Sequence, residues 1–448
     1  SFSFWEPSTG TEMEDALSKI VENYKSVRPD VEVELISQPV SGYQEWIKTR
    51  FASDQAPTIE SNHATVIGEQ YKQGLTVDLK EALEGENPYD KKIWKDCFVD
   101  GKLEQATDYT QPWHVALPLF DLGVAYYYNM DLYEKLNLKI PETWNEFIHN
   151  CEVIEQDGTN PIAFMAQKKD AVVWFMWYLN TGLLGDAFLS DNNININGDC
   201  AVSNNEIAAA ISNGKIDLTT GRYKELQERF WDEVKKYAKY SQNATGFDEA
   251  AAKSQLLTGK AAHLMSGSWD IQSFMENEEN VRIGAFKLPL FTKENSEYVC
   301  GNPVIGGVQS LTVTKSAEKD PAVKEAAIDF LQFMFSKEQY KIFVDSTKQI
   351  PTVKELDVDP IFEAFQGGSV PVDNILCLDS DKMAQTPTDA VMQLLSGQDF
   401  DYADMEKKLN ENYKMWLEEY ESDGKFTKEN NYGLDELEMR GGKYEKAQ

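Results

Sequence analysis

A chain of 448 residues with 42% hydrophobic side chains is larger than one core usually supports, so at least two compact units are expected. Its 75 acidic side chains against 43 basic ones give a formal net charge of −32, which excludes nucleic acid and anionic membranes as natural partners, because both require a basic footprint. The acidity serves either solubility or the attraction of polycations such as polyamines.

Residues 2–5 read as a strand. A helix is expected from Thr11 to Val27, with Met13, Ala16, Leu17, Ile20, Val21 and Tyr24 on one face and a capping box from Thr11 to Glu14. A strand at Val31 to Ile36, a helix at Tyr43 to Ala52 and a strand at Pro57 to Ser61 follow, an alternation that implies parallel pairing with right-handed crossovers. Leu117 to Asp121 reads as a Pro-bounded chain reversal leading into an aromatic strand, Val124 to Tyr128. Asn129, a short amphipathic helix and a second capping box, Thr143 to Glu146, come next.

Asn160 to Ala166 is a strand candidate, Ala171 to Leu184 an aromatic helix, and Asn197-Gly198 has the composition of a hairpin turn. Ser203 to Glu206 caps another helix. Ser254 to Trp269 reads as helix, strand and loop, and Val281 to Pro289 as a returning strand. Asp320-Pro321 opens a helix whose buried stripe is Val323, Ala326, Ala327, Phe330, Leu331 and Met334. The rest is mostly helical, with an acidic, Gly-rich end from Glu421 that reads as loosely tethered.

Signatures of catalysis and of metal binding are missing. There is no P-loop, GxGxxG, GxSxG or HExxH, and the four histidines are scattered. Asp191, Asn193 and Asn195 begin like a calcium loop, but Ile196 stands where Gly must turn the chain and Val202 where the bidentate Glu belongs. No cofactor, metal ligand or catalytic residue is therefore assigned, although paired carboxylates of a glycoside hydrolase are not excluded by counting. Five cysteines without a CxxC read as separate buried hydrophobes, and their odd number in an exported protein points to a reducing habitat or to one optional disulfide. No apolar run approaches 18 residues, and a signal or lipid-bearing segment, where there is one, is expected to have been removed before Ser1.

Several side chains are candidate ligand contacts, each with a plainer alternative. Trp269 follows Gly267-Ser268 at a strand exit, where its ring either stacks on the apolar face of a ligand or packs in the core. Trp174 and Trp177 share a helical face as a core stripe or a binding platform. Phe120 and Asp121 lie at the expected reversal, and the carboxylate either orients hydroxyl groups or only ends the turn. Glu6, past the first strand, and Tyr43, beside Gly42, have the same dual reading. Asn62 ends the Pro57 strand with an amide that hydrogen-bonds rather than stacks.

The order of segments resembles extracellular solute-binding protein family 1, the carbohydrate-binding subunits of ABC importers, which includes maltose-binding protein. Phe4-Trp5 before a helix, Ala56-Pro57-Thr58-Ile59, Gln73-Gly74-Leu75, Val77-Asp78-Leu79, the Trp113 to Trp144 crossover, LTGKAAHLMSGSW, AFKLPLF and the Gly306-Gly307 strand with its following helix stand in the family's order. Thr58 replaces the family's usual acid, and Asn62 stands where maltose-binding protein-like chains carry a stacking Trp, which weakens a maltose preference. The resemblance implies an α/β, two-lobe periplasmic-binding-protein-like fold with a hinge and an inter-lobe ligand cleft, the first lobe holding residues 1–117 and 292–342 and the second 118–291 and 343–448. It implies an oligosaccharide ligand bound by Glu6, Tyr43, Asn62, Phe120, Asp121, Trp174, Trp177, Trp269 and Gly306, and hinge closure on binding. It further implies a monomer that partners with importer transmembrane subunits and is lipid-anchored at the cell surface or periplasmic. A polyamine-binding protein of similar shape and, behind it, a glycoside hydrolase are the rival readings.

Overall fold

Short apolar strands and the amphipathic helices between them build the chain. The computed structural model describes residues 1–6, 10–107, 112–276, 281–301, 306–357, 359–366, 381–422, 424–437 and 443–445. The strands are β1 (Phe2–Phe4), β2 (Leu35–Ser37), β3 (Ile59–His63), β4 (Glu86–Asn87), β5 (Lys92–Ile93), β6 (Leu117–Asn129), β7 (Asn160–Ile162), β8 (Ala261–Gly267), β9 (Ile283–Phe286) and β10 (Gly306–Val313). The first helices are α1 (Glu12–Val27), α2 (Tyr43–Ala52) and α3 (Ala64–Lys72). Residues 1–123, 267–273 and 306–362 pack as one unit, and 124–266, 274–305 and 363–448 as a second. Relative to the boundaries expected from sequence, residues 118–123, 267–273 and 343–362 fall in the first unit, where Phe343 stacks on Phe120 and Ile350 pairs with Asp121, and residues 292–301 fall in the second.

In the first unit β1 pairs in parallel with β2 and β3, as the strand–helix alternation requires, and β10 runs antiparallel between β3 and β6. The two faces of this sheet differ in chemistry. Phe2, Phe4, Ile59, Leu311 and Val313 share one face by alternation and register, and on that side Phe2 meets Phe330 of the helix Pro321–Met334. Each such ring contributes about 1.5–3 kcal/mol by leaving water. Ser3, Glu60, Asn62, Ser310 and Thr312 share the opposite face, against α2 and α3, where Ser3 Oγ meets Tyr43 OH at 2.8 Å.

Several local expectations are met. The α2 bounds agree, Asp320 caps the helix Pro321–Met334, and both capping boxes, Thr143 with Glu146 and Ser203 with Glu206, are formed. Others are corrected. Leu117 to Asp121 is no chain reversal but the start of the 13-residue strand β6, and a register shift at Gln309/Ser310 faces Pro118, so the residue without an N–H stands where the ladder is interrupted. The Thr11 capping box is absent; Glu6 takes its place, its carboxylate accepting from the Met13 N at 3.1 Å and the Glu14 N at 2.7 Å. Asn197-Gly198 turns the chain with Gly198 at φ +68°, yet joins no two named strands. Val323 is exposed rather than on the buried stripe. Cys97, Cys151, Cys200 and Cys300 are free thiols, while Cys377 and part of the expected loose C-terminal end lie outside the described residues.

The second unit holds the later half of β6 with β7, β8 and β9, and its core is aromatic: Tyr126, Phe147 and Phe286 surround His263 of β8. The Pro161 carbonyl only accepts, so Nδ1 of His263, 2.8 Å away, carries the proton, and Nε2 accepts from Tyr133 OH at 2.7 Å. Burial pushes this imidazole down to about 4. Between about pH 6.5 and 4 the unfolded chain therefore binds a proton that the folded chain refuses, and stability falls as pH is lowered, by up to about 3 kcal/mol. Denaturant melts of the wild type and His263→Gln are expected to show a shallower loss between pH 7 and 4.5 in the variant; equal pH dependence would show that His263 does not titrate in this window.

Candidate functional site

The nine expected ligand contacts separate into three groups once their surroundings are described. The first lies where β1 and β3 end. Tyr43 is buried against Trp5, with ring centroids 4.7 Å apart, and Trp5 meets the His63 ring edge-on at 5.1 Å. Asn62 is fully buried and its amide is spent inside the unit, donating to Glu60 Oε1 at 2.7 Å and accepting from Gln44 Nε2 at 2.8 Å. Glu6 uses both carboxylate oxygens on the α1 backbone, and burial raises its carboxyl above the usual range against the pull of those donors.

Phe120 and Asp121 form the second group, and the continuous strand gives them different surroundings from those a reversal implies. Phe120 is in the core of the first unit, stacked on Phe343 at 6.0 Å. Asp121 is 8% exposed and pairs with Lys102 Nζ at 2.6 Å. Burial raises its carboxyl, offset by that ammonium. Lys102→Met leaves a buried carboxylate without its cation and is expected to cost about 3 kcal/mol at pH 7. The loss should shrink at acid pH, where Asp121 is neutral, and Asp121→Asn added to Lys102→Met should recover part of it in urea melts. A loss independent of pH would mean that Lys102 contributes packing only.

The third group keeps surface available. Trp269 stands in a single helical turn after β8, half-buried, with its ring lying over Gly267; a Cβ added to Gly267 would come within 2.2 Å of that ring. Gly306 is exposed at φ +156° and pairs with Gly123, where a side chain would meet the Leu122 carbonyl oxygen at 2.0 Å. Gly123 N also donates to Ser268 Oγ at 3.3 Å, so Gly306 and the turn that holds Trp269 meet at Gly123. Trp174 and Trp177 are half-buried on the helix Lys169–Leu189 of the second unit, with Lys168 Nζ 5.5 Å from the Trp174 ring centroid.

Sequence reasoning did not single out Trp5, Gln44, Glu60 or His63, which the structure gathers around Tyr43 and Asn62. A usable signal was present: Glu60 is a charged residue in the middle of a predicted buried strand. Among the described residues no group of three or more His, Cys, Asp or Glu side chains is placed to hold a metal ion, and no helix is long and apolar enough to cross a membrane.

The model of a known family, bacterial extracellular solute-binding protein, matches residues 10–341. Among characterised relatives, the multiple sugar-binding protein of Streptococcus mutans serotype c (strain ATCC 700610 / UA159) is 24% identical over 335 residues, covering 75% of this chain and 71% of the relative. The galactooligosaccharide-binding protein of Bacillus subtilis (strain 168) is 22% identical over 335 residues, covering 74% of this chain and 68% of that protein. Among solved structures, the solute-binding protein RafE in complex with raffinose aligns with a TM-score of 0.63 at 19% identity, over 93% of this chain and 100% of the other, which shows the shared fold.

Proposed function

The chain belongs to the family of bacterial extracellular solute-binding proteins, and we propose that it captures an uncharged oligosaccharide for delivery to the transmembrane subunits of an ABC importer. It is a binding protein, not an enzyme. The observation that supports a saccharide most directly is the set of three half-buried tryptophans, Trp269, Trp174 and Trp177, because an indole that keeps part of its surface exposed suits the apolar face of a pyranose. Trp269 and Gly306 are the proposed contacts of the first unit, and Trp174 and Trp177 those of the second. Glu6, Tyr43, Asn62, Phe120 and Asp121 are proposed as the supports that hold the first unit's surface in place. Ligand that engages both units favours the closed form that the importer receives, since only differential affinity shifts such an equilibrium. The protein acts as a monomer, anchored by lipid at the cell surface or free in the periplasm.

A thermal-shift panel of raffinose, stachyose, galacto-, xylo- and chito-oligosaccharides, together with spermidine, tests this reading. A neutral oligosaccharide at 100 times its Kd is expected to add about 2.7 kcal/mol of stability, and Trp269→Ala to weaken its binding at least about tenfold, about 1.4 kcal/mol, with little change in ligand-free melting. A shift given by spermidine alone and erased by salt would assign a polycation ligand. Reducing ends released on prolonged incubation would overturn the non-catalytic reading.

A further inference from the structure

The polar face of the first unit's sheet holds a carboxyl group that the proposed sugar contacts do not use. Glu60 of β3 is fully buried, with Ser3 of β1 and Thr312 of β10 opposite it across the ladders. Its Oε1 accepts from Asn62 Nδ2 at 2.7 Å and from Gln70 Nε2 at 3.0 Å, whereas Oε2, also buried, has no hydrogen-bond partner among the described residues.

One atom fixes the polarity of this relay. The backbone N–H of His63 only donates, and it reaches Asn62 Oδ1 at 2.9 Å. The Asn62 amide nitrogen must then turn inward to Glu60, and Gln44 must offer its own nitrogen to Oδ1, as it does at 2.8 Å. Gln44 stands in the first turn of α2 and is only half-buried. Its Oε1 in turn accepts from Asn62 Nδ2 at 3.4 Å, so both polar atoms of the Gln44 amide face Asn62 and its orientation is set from within.

We propose that Glu60 is a positioning residue for ligand capture: through Asn62 it orients the Gln44 amide on the surface of the first unit, and it takes up a proton when ligand covers that surface, so that affinity depends on pH. The inference rests on the saccharide-capture reading above. Glu60 is buried without a cation, which pushes its carboxyl up to about 7 against the two amide donors. Ligand over Gln44 removes further water and disfavours the charged form more. Around and between the carboxyl's free and liganded values, binding draws in a fraction of a proton, and affinity falls as pH rises through that window. A further upward shift of half a unit corresponds to about a threefold weakening between pH 6 and pH 8.

The groups that face Glu60 are otherwise neutral. Tyr43 faces it from α2, its phenol pushed above the usual range by burial and by Glu60, and Gln70 faces it from α3. Ser3, Ser310 and Thr312 complete the polar face on β1 and β10. The charged pairs Lys72–Glu69 and Lys48–Glu45 lie on the exposed sides of α3 and α2. His63 lies on the opposite face of β3, exposed at the end of the strand.

Calorimetric titrations with raffinose, or with the panel sugar that binds most tightly, at pH 6 and pH 8 in buffers of different ionisation enthalpy test the proposal. The wild type is expected to bind about threefold more weakly at pH 8 and to take up protons from buffer. Glu60→Gln keeps an acceptor for Asn62 and Gln70, and is expected to bind equally at both pH values without proton uptake. Gln44→Ala should lose the pH dependence of affinity, while its ligand-free melting temperature still falls relative to Glu60→Gln as pH rises, because Glu60 continues to titrate. Parallel pH profiles in wild type and Glu60→Gln would overturn the inference and leave capture intact. Should Glu60→Gln not fold, full pH dependence in Gln44→Ala overturns it instead. A wild type that binds no sugar of the panel overturns the capture reading and this inference with it.

Discussion

The first unit depends on one strand supplied late. β10, residues 306–313, runs antiparallel between β3 and β6, so the sheet that starts at Phe2 closes only when a segment some 240 residues after β3 has been made. Long-range pairing of this kind is slow, because the loop-closure entropy is lost before the contacts form. The chain leaves the first unit after Gly123, returns for residues 267–273, leaves again, and comes back at Gly306. The returning segments bring Gly267, Trp269 and Gly306, so the strand that completes the sheet also completes the surface proposed for ligand.

Legibility followed the range of the interaction. Helices set by their own periodicity and caps were readable, as at Tyr43–Ala52, Thr143 with Glu146, and Asp320-Pro321. The failures were places where a distant group replaced the local one. Glu6 reaches the α1 backbone from outside the helix, which the spacing of Thr11 and Glu14 cannot reveal. Pro118 signals a turn by composition, yet a bulge in β6 at Leu119, opposite Gln309 and Ser310, lets it sit within a strand, and Phe120 and Asp121 consequently take core positions. Trp269, Trp174 and Trp177 are visible in one dimension as aromatics at an element's end or on a helical stripe, and each is half-buried. The Glu60 relay was not, since Gln44, Asn62 and Gln70 meet only when α2, α3 and β3 are assembled.

The two faces of the first unit's sheet show what stability alone would select. One is dominated by Phe2, Phe4, Ile59, Leu311 and Val313, and the polar pair it also buries, Gln309 and Ser61, is joined by a hydrogen bond of 2.9 Å. The other buries Ser3, Glu60, Asn62, Ser310 and Thr312, and among the described residues it leaves Glu60 Oε2, Gln70 Oε1 and Ser310 Oγ without hydrogen bonds. Each unmatched polar atom costs about 1–3 kcal/mol, so a sheet optimised for stability would carry apolar residues on both faces. The unmatched atoms lie on β3, α3 and β10, around the relay that determines which way the Gln44 amide points. A buried polar network suits a side chain that has to be held in one orientation before ligand arrives, because the ordering cost is then met during folding rather than during capture.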